Sequence, residues 1–115
     1  MTYQELEHKM FSPCILLIHS DVKLLVKLEA ALKQAGYRVL TAYDGRQGIY
    51  LAQAAFPEVI VCDVKLPATQ GFDVRGILAQ DSQTAPIPVI SLTKSLDKHE
   101  LVARINAIIR SQAAR

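Results

Sequence analysis

Val59-Ile60-Val61-Cys62 runs straight into Asp63, and this stretch constrains the chain more than any other. Four apolar, mostly β-branched residues without polar alternation predict a strand buried on both faces, as in a parallel sheet covered by helices. Parallel strands in turn require crossover connections of helical length. In open α/β sheets, ligand and reaction sites lie just past the carboxyl ends of the strands, so Asp63 falls where such a fold carries its chemistry. The plainer reading is an aspartate that ends a strand in a turn, and position alone does not separate the two.

Extended and helical patterns alternate along the rest of the chain. Cys14 to Ile18 reads as a buried strand, followed by Ser20 or Asp21 as N-cap. The helix they open runs to Ala35 with an apolar stripe of Val22, Leu25, Leu28 and Leu32, and Gly36 suits the left-handed residue that ends it. Tyr37 to Thr41 makes a second strand, and Asp44-Gly45 turns into a helix whose inner side is Ile49, Ala52 and Phe56, stopped before Pro57. Gly71 to Leu78 suggests a short third helix. Pro88 to Leu92 is a last strand with proline tolerated at its first position. Asp97 and Glu100 form a capping box for a final helix with the stripe Leu101, Ile105, Ile108 and Ile109. Ahead of the domain, Tyr3, Leu6 and Met10 recur at helical spacing. The division expected is an extension over residues 1–12 and one domain over 13–111.

Composition agrees with a single globular unit: 115 residues, half of them hydrophobic, leave room for one core and no second domain. A net charge of +2, with the basic residues scattered, gives no stripe for nucleic acid. The longest apolar runs are strand-sized, so no membrane span or signal peptide is read and the cytoplasm is the expected compartment. Cys14 opens the first strand and Cys62 closes the third. On parallel neighbours their sulfurs lie about 13 Å apart, which excludes a disulfide and leaves two core thiols.

Cys14 to Ile18, Thr41-Ala42-Tyr43-Asp44-Gly45, Asp63 to Pro67, Gly71-Phe72-Asp73 and Pro88-Val89-Ile90 follow one another in an order and spacing that resembles the receiver domain of bacterial response regulators. The resemblance spans Pro13 to Arg110. It implies a flavodoxin-like, doubly wound α/β fold. The count along this chain is four parallel strands in the order 2-1-3-4 with helices on both faces, one strand and one helix short of the family's five of each. Roughly twenty residues are missing between Ile90 and Ser95, in a chain that otherwise has the short connections of such folds. The resemblance makes Asp63 the acceptor of a phosphoryl group from a histidine kinase or phosphotransfer protein, with Mg²⁺ held by Asp63, the Lys65 carbonyl and two acidic residues after the first strand.

At those two acidic positions this chain carries His19 and Ser20. Their exchange removes two negative charges, so Mg²⁺ affinity is expected to fall sharply, with Asp21 the remaining carboxylate nearby and better placed to cap a helix. At a strand end His19 is read as hydrogen-bonded locally rather than as a metal ligand, since imidazole suits zinc better than magnesium; a second reading has protonated His19, together with Lys94, pairing with Asp63 as a permanent replacement for the ion's charge. Thr93 and Lys94 match the family's switch threonine and phosphate-pairing lysine, which the family takes from two different strands. Adjacent strand residues face opposite sides, so only one role is expected to survive, with Lys94 the longer-reaching candidate. Asp44 and Asp73 are read as helix-start residues and not as site residues.

The missing elements leave the last strand at the sheet's edge, where an uncovered apolar edge invites association; a homodimer through that edge is expected. The function expected is a stand-alone receiver phosphorylated at Asp63 that signals to an unknown downstream protein. The alternative is a pseudo-receiver that keeps the scaffold as an interaction and dimerisation module. A nucleotide- or flavin-binding enzyme is disfavoured, since Ile18-His19-Ser20-Asp21-Val22 has no glycine to cradle phosphate, and no nucleophile, base and orienter set suggests hydrolysis. No enzymatic activity is expected.

Overall fold

The computed structural model describes Thr2 and residues 12–63, 73–93 and 96–113. The segment from Tyr3 to Met10, with its helical spacing, lies outside them. Among the described residues four strands and four helices alternate: β1 (Cys14–Ile18), α1 (Val22–Gln34), β2 (Arg38–Ala42), α2 (Gly45–Ala55), β3 (Val59–Asp63), α3 (Val74–Gln80), β4 (Val89–Leu92) and α4 (Lys98–Ala113). All strand pairs are parallel and the sheet order is β2-β1-β3-β4, the order expected from the crossover pattern. Every residue of β1 is buried, as are Val59 to Cys62 of β3, because both strands have helices on each side.

Strand alternation divides the core in two. Ile15 and Leu17, Val59 and Val61, and Ile90 and Leu92 face α1 and α4, where they meet Leu25, Leu28, Leu32, Leu101 and Ile105. Leu16, Ile18, Ile60 and Cys62 face the other way, onto Ala52 of α2 and Val74 and Leu78 of α3. On this second face β4 is poorly covered. Val89 and Ser91 are only half-buried, and a cleft of about 420 Å³ opens between α3 and β4, lined by Arg75, Leu78, Ala79, Ile87 and Val89. Thr84, 1% exposed, holds the floor of this region by donating its hydroxyl to the Leu78 carbonyl at 2.7 Å.

Local chemistry sets the helix ends. Asp21 caps α1, its Oδ1 accepting from the Lys23 and Leu24 amides at 3.0 and 3.3 Å. At the other end Gly36 takes φ 98°, while the Tyr37 amide donates to the Leu32 carbonyl and the Gly36 amide to that of Lys33, a Schellman closure. Asp44 caps α2 through the Gln47 amide at 2.8 Å, and Asp97 caps α4 through the Glu100 amide at 2.8 Å. Asp73 is the N-cap of α3 rather than a first-turn residue, and its side chain makes no cap hydrogen bond. Two apolar assignments are corrected. Val22 is 52% exposed because it stands in the first turn of α1, outside the buried row of Leu25, Leu28 and Leu32. Phe56 is 49% exposed because it is the left-handed C-cap of α2, φ 47°, which turns it out of the helical row that Ala52 continues.

Candidate functional site

The register of β1 on β3 builds the site. Ile18 pairs with Cys62 and both face α2 and α3, so by strand parity the next residue of each chain segment, His19 and Asp63, falls toward the opposite side. His19 Nε2 lies 3.4 Å from Asp63 Oδ2, with the two side chains 15% and 13% exposed. His19 is fixed from two further directions. Its amide donates to the Ala42 carbonyl at 3.0 Å, carrying the β1–β2 ladder one residue beyond the strand, and its Nδ1 accepts from the Asp21 amide at 2.9 Å. A nitrogen that accepts carries no proton, so this bonding pattern assigns the Nε2–H tautomer, with its hydrogen on the Asp63 side. The local hydrogen bond expected of a histidine at a strand end is present, and the other ring nitrogen is turned to Asp63.

Ser20 is exposed, and Asp21 has its carboxylate engaged in the α1 cap. Asp63 pairs in register with Leu92, which brings the end of β4 to the site. Thr93 follows, already in a turn, since the Leu96 amide donates to its carbonyl at 3.2 Å. It lines a cleft of about 350 Å³ with Leu24, Lys27, Leu28, Leu92 and Leu96. Lys94 and Lys65 lie outside the described residues. Next to Asp63, the Cys62 thiol is pushed up to about 11 by burial first and then by the charge of Asp63, with Asp73 acting the same way and Arg75 opposing. It is therefore protonated and inert at neutral pH.

Two interactions here were not read from the sequence. The Asp21 amide that orients His19 is a backbone group, and the only sequence signal for it is a histidine two residues before an N-cap. Arg75 of α3 donates to the Ser91 hydroxyl of β4, tying the poorly covered strand to the nearest helix. Nothing in either residue's neighbourhood in sequence announces that pairing.

Mg²⁺ takes hard oxygen ligands in a near-octahedral array. Among the described residues, no group of three or more His, Cys, Asp or Glu side chains is arranged to hold a metal ion. Asp63 contributes a carboxylate already faced by His19, Asp21 is spent on the helix, and an imidazole suits softer metals. Among the described residues the donor set does not fit Mg²⁺.

A doubly wound parallel sheet with a carboxylate at the end of its third strand, beside the end of the first, defines the class: receiver-type signalling domains. The chain belongs to the response regulator receiver domain family, whose model matches residues 15–110. Protein PilH of Pseudomonas aeruginosa is 30% identical over 116 aligned positions, covering 83% of this chain and 96% of that protein. Since 83% of 115 residues is about 95, roughly 21 aligned positions have no residue here, in keeping with the missing strand and helix. The DNA-binding dual master transcriptional regulator RpaA of Synechocystis is 34% identical over 119 positions, 85% of this chain but 49% of that protein. In fold, the chain is similar to chemotaxis response regulator CheY4 of Vibrio cholerae, with TM-score 0.75 and 23% identity, over 84% of this chain and 98% of that one. It is likewise similar to the receiver domain of the sensor histidine kinase PA1611 of P. aeruginosa, a structure with magnesium coordinated in its active site cleft. There the TM-score is 0.76 and the identity 21%, over 85% and 98% of the two chains.

Proposed function

We propose that this chain is a receiver domain of two-component signalling that works as a pseudo-receiver: Asp63 stays in one state, and the domain acts by binding proteins, not by catalysis. The observation that carries this reading is the His19–Asp63 pairing, 3.4 Å apart, at the position where the family's chemistry calls for a cation. Aspartyl phosphorylation needs a carboxylate free to attack in line and a divalent ion to neutralise charge on the transferring oxygens. Here the carboxylate faces a hydrogen-bond donor and the supporting acids are replaced or spent.

Receiver domains interact with histidine kinases or phosphotransfer proteins, and a protein of that kind is the upstream partner proposed. The match to nearly all of PilH supports a receiver domain that acts alone, and the cytoplasm is the compartment proposed for it. Among the described residues no helix is long and apolar enough to cross a membrane. The β4 edge supports a homodimer, since Val89, Ile90, Ser91 and Leu92 carry no charge of the kind that normally blunts an edge. A monomeric mass at micromolar concentration removes the dimer from this proposal.

Intact mass after incubation with a small phosphodonor, with and without Mg²⁺ and beside Asp63→Asn, tests the central claim. The expected result is no mass gain in folded protein. A Mg²⁺-dependent gain of one phosphoryl group, absent from Asp63→Asn, overturns it. That result establishes the second reading, a working phosphoacceptor, which the retained 13% exposure of the Asp63 side chain favours.

A further inference from the structure

His19 has two ring nitrogens, and the structure uses both. Nδ1 receives the Asp21 amide at the start of α1, and Nε2 faces Asp63 at 3.4 Å. For Nε2 to ligate a metal, its proton would have to move to Nδ1. That nitrogen would then point a hydrogen at the Asp21 N–H, leaving two donors face to face and breaking the bond that orients the ring. The ring therefore cannot serve as a ligand without giving up its anchor.

We infer that His19 is an internal substitute for the divalent cation of this family: locked as the Nε2–H tautomer by the Asp21 amide, it faces Asp63 with a proton and keeps Mg²⁺ out. The inference deepens the pseudo-receiver reading by naming the device that holds Asp63, and it rests on that reading. It assigns His19 a positioning role. Asp21 supports the device twice, with its amide holding the ring and its carboxylate diverted to the helix cap. Ser20, exposed beside it, adds no charge.

The test uses Mg²⁺ itself as the probe and amide chemical shifts around residues 19–21 and 63 as the readout. Wild type is expected to show no saturating response at low-millimolar Mg²⁺. His19→Asp/Ser20→Asp, which returns two carboxylates to the segment after β1, is expected to bind at least about tenfold more tightly, because negative charge near the ion favours it. If the double variant does not fold, His19→Asp alone carries the test, with a smaller rise expected. Nitrogen-15 spectra of the wild-type imidazole supply a readout that a merely structural histidine does not move. Nε2 is expected to be the protonated nitrogen, and its proton resonance is expected to shift in Asp63→Asn.

Saturable Mg²⁺ binding by wild type, an Nδ1–H tautomer, or a folded carboxylate variant that binds no better than wild type each overturns the inference. Failure here is distinguishable from failure of the pseudo-receiver reading. A wild-type protein that binds Mg²⁺ yet gains no phosphoryl mass sinks the inference alone. One that is phosphorylated while binding no Mg²⁺ sinks the reading alone.

Discussion

Gly48→Ala is the sharpest test of how the site end of β1 is held. A Cβ at Gly48 would sit 2.5, 2.8 and 3.1 Å from Cδ1, Cγ1 and Cγ2 of Ile18, closer than side-chain atoms pack. Ile18 is 1% exposed and β-branched, so it has little room to rotate away. Two effects compete. Alanine in a helix interior gains about 1 kcal/mol over glycine. Forcing a methyl into a well-packed contact costs about 1–3 kcal/mol. With three close contacts on a stiff side chain the overlap wins, for a net loss of about 1–2 kcal/mol. At a urea m-value of about 2 kcal/mol/M, the unfolding midpoint falls by roughly half to one molar with the slope unchanged. Ile18→Val, which removes the atom at 2.5 Å, costs about 0.5–1.5 kcal/mol alone but less in the Gly48→Ala background, giving a positive coupling. A Gly48→Ala protein as stable as wild type, or additive behaviour of the pair, would refute the reasoning. Either result would mean that α2 can withdraw from β1 without cost.

Asp21→Ala removes the α1 cap and is expected to cost about 1 kcal/mol by urea unfolding, while the backbone amide at residue 21 keeps His19 in the same tautomer by nitrogen-15 spectroscopy. Asp97→Ala is expected to cost a similar ~1 kcal/mol and to fray the start of α4, seen as faster amide exchange at Glu100. Both thiols, raised by burial, are expected to resist a thiol reagent at pH 8 in the folded protein and to react together on unfolding. The Cys62 thiol ionises near 9 when unfolded and near 11 when folded. It contributes its full stabilisation below pH 9, and up to about 2 kcal/mol is lost as pH rises from 9 to 11. Tyr37, also raised by burial, adds in the same direction above pH 10. Stability that is flat across this alkaline window would contradict the burial assigned to both groups.

Much of this molecule is set locally and is legible in sequence. Unbroken apolar runs make β1 and β3, Asp21, Asp44 and Asp97 open helices, Gly36 closes one, and crossovers of helical length force parallel strands in the order 2-1-3-4. Asp63 at the end of β3 and the absence of acids at His19 and Ser20 are equally plain, because a strand end and a residue type are local properties. Contacts between distant segments were legible only as alternatives: the resemblance set His19 near Asp63, and nothing in the sequence chose that pairing over a local one. Whether His19 reaches Asp63, 44 residues away, depends on Ile18 pairing with Cys62. A slip of one residue would send every side chain of the strand to the other face. The tautomer of His19 depends on a backbone amide that becomes available only once α1 has formed. Phe56 and Val22 read as inner residues because periodicity cannot tell where a helical row meets the sheet or where a left-handed cap ends it. The sequence by itself determined the elements and the phosphoacceptor-like position. Only the tertiary structure decided what stands against Asp63, because strand register is fixed by the packing of both faces at once.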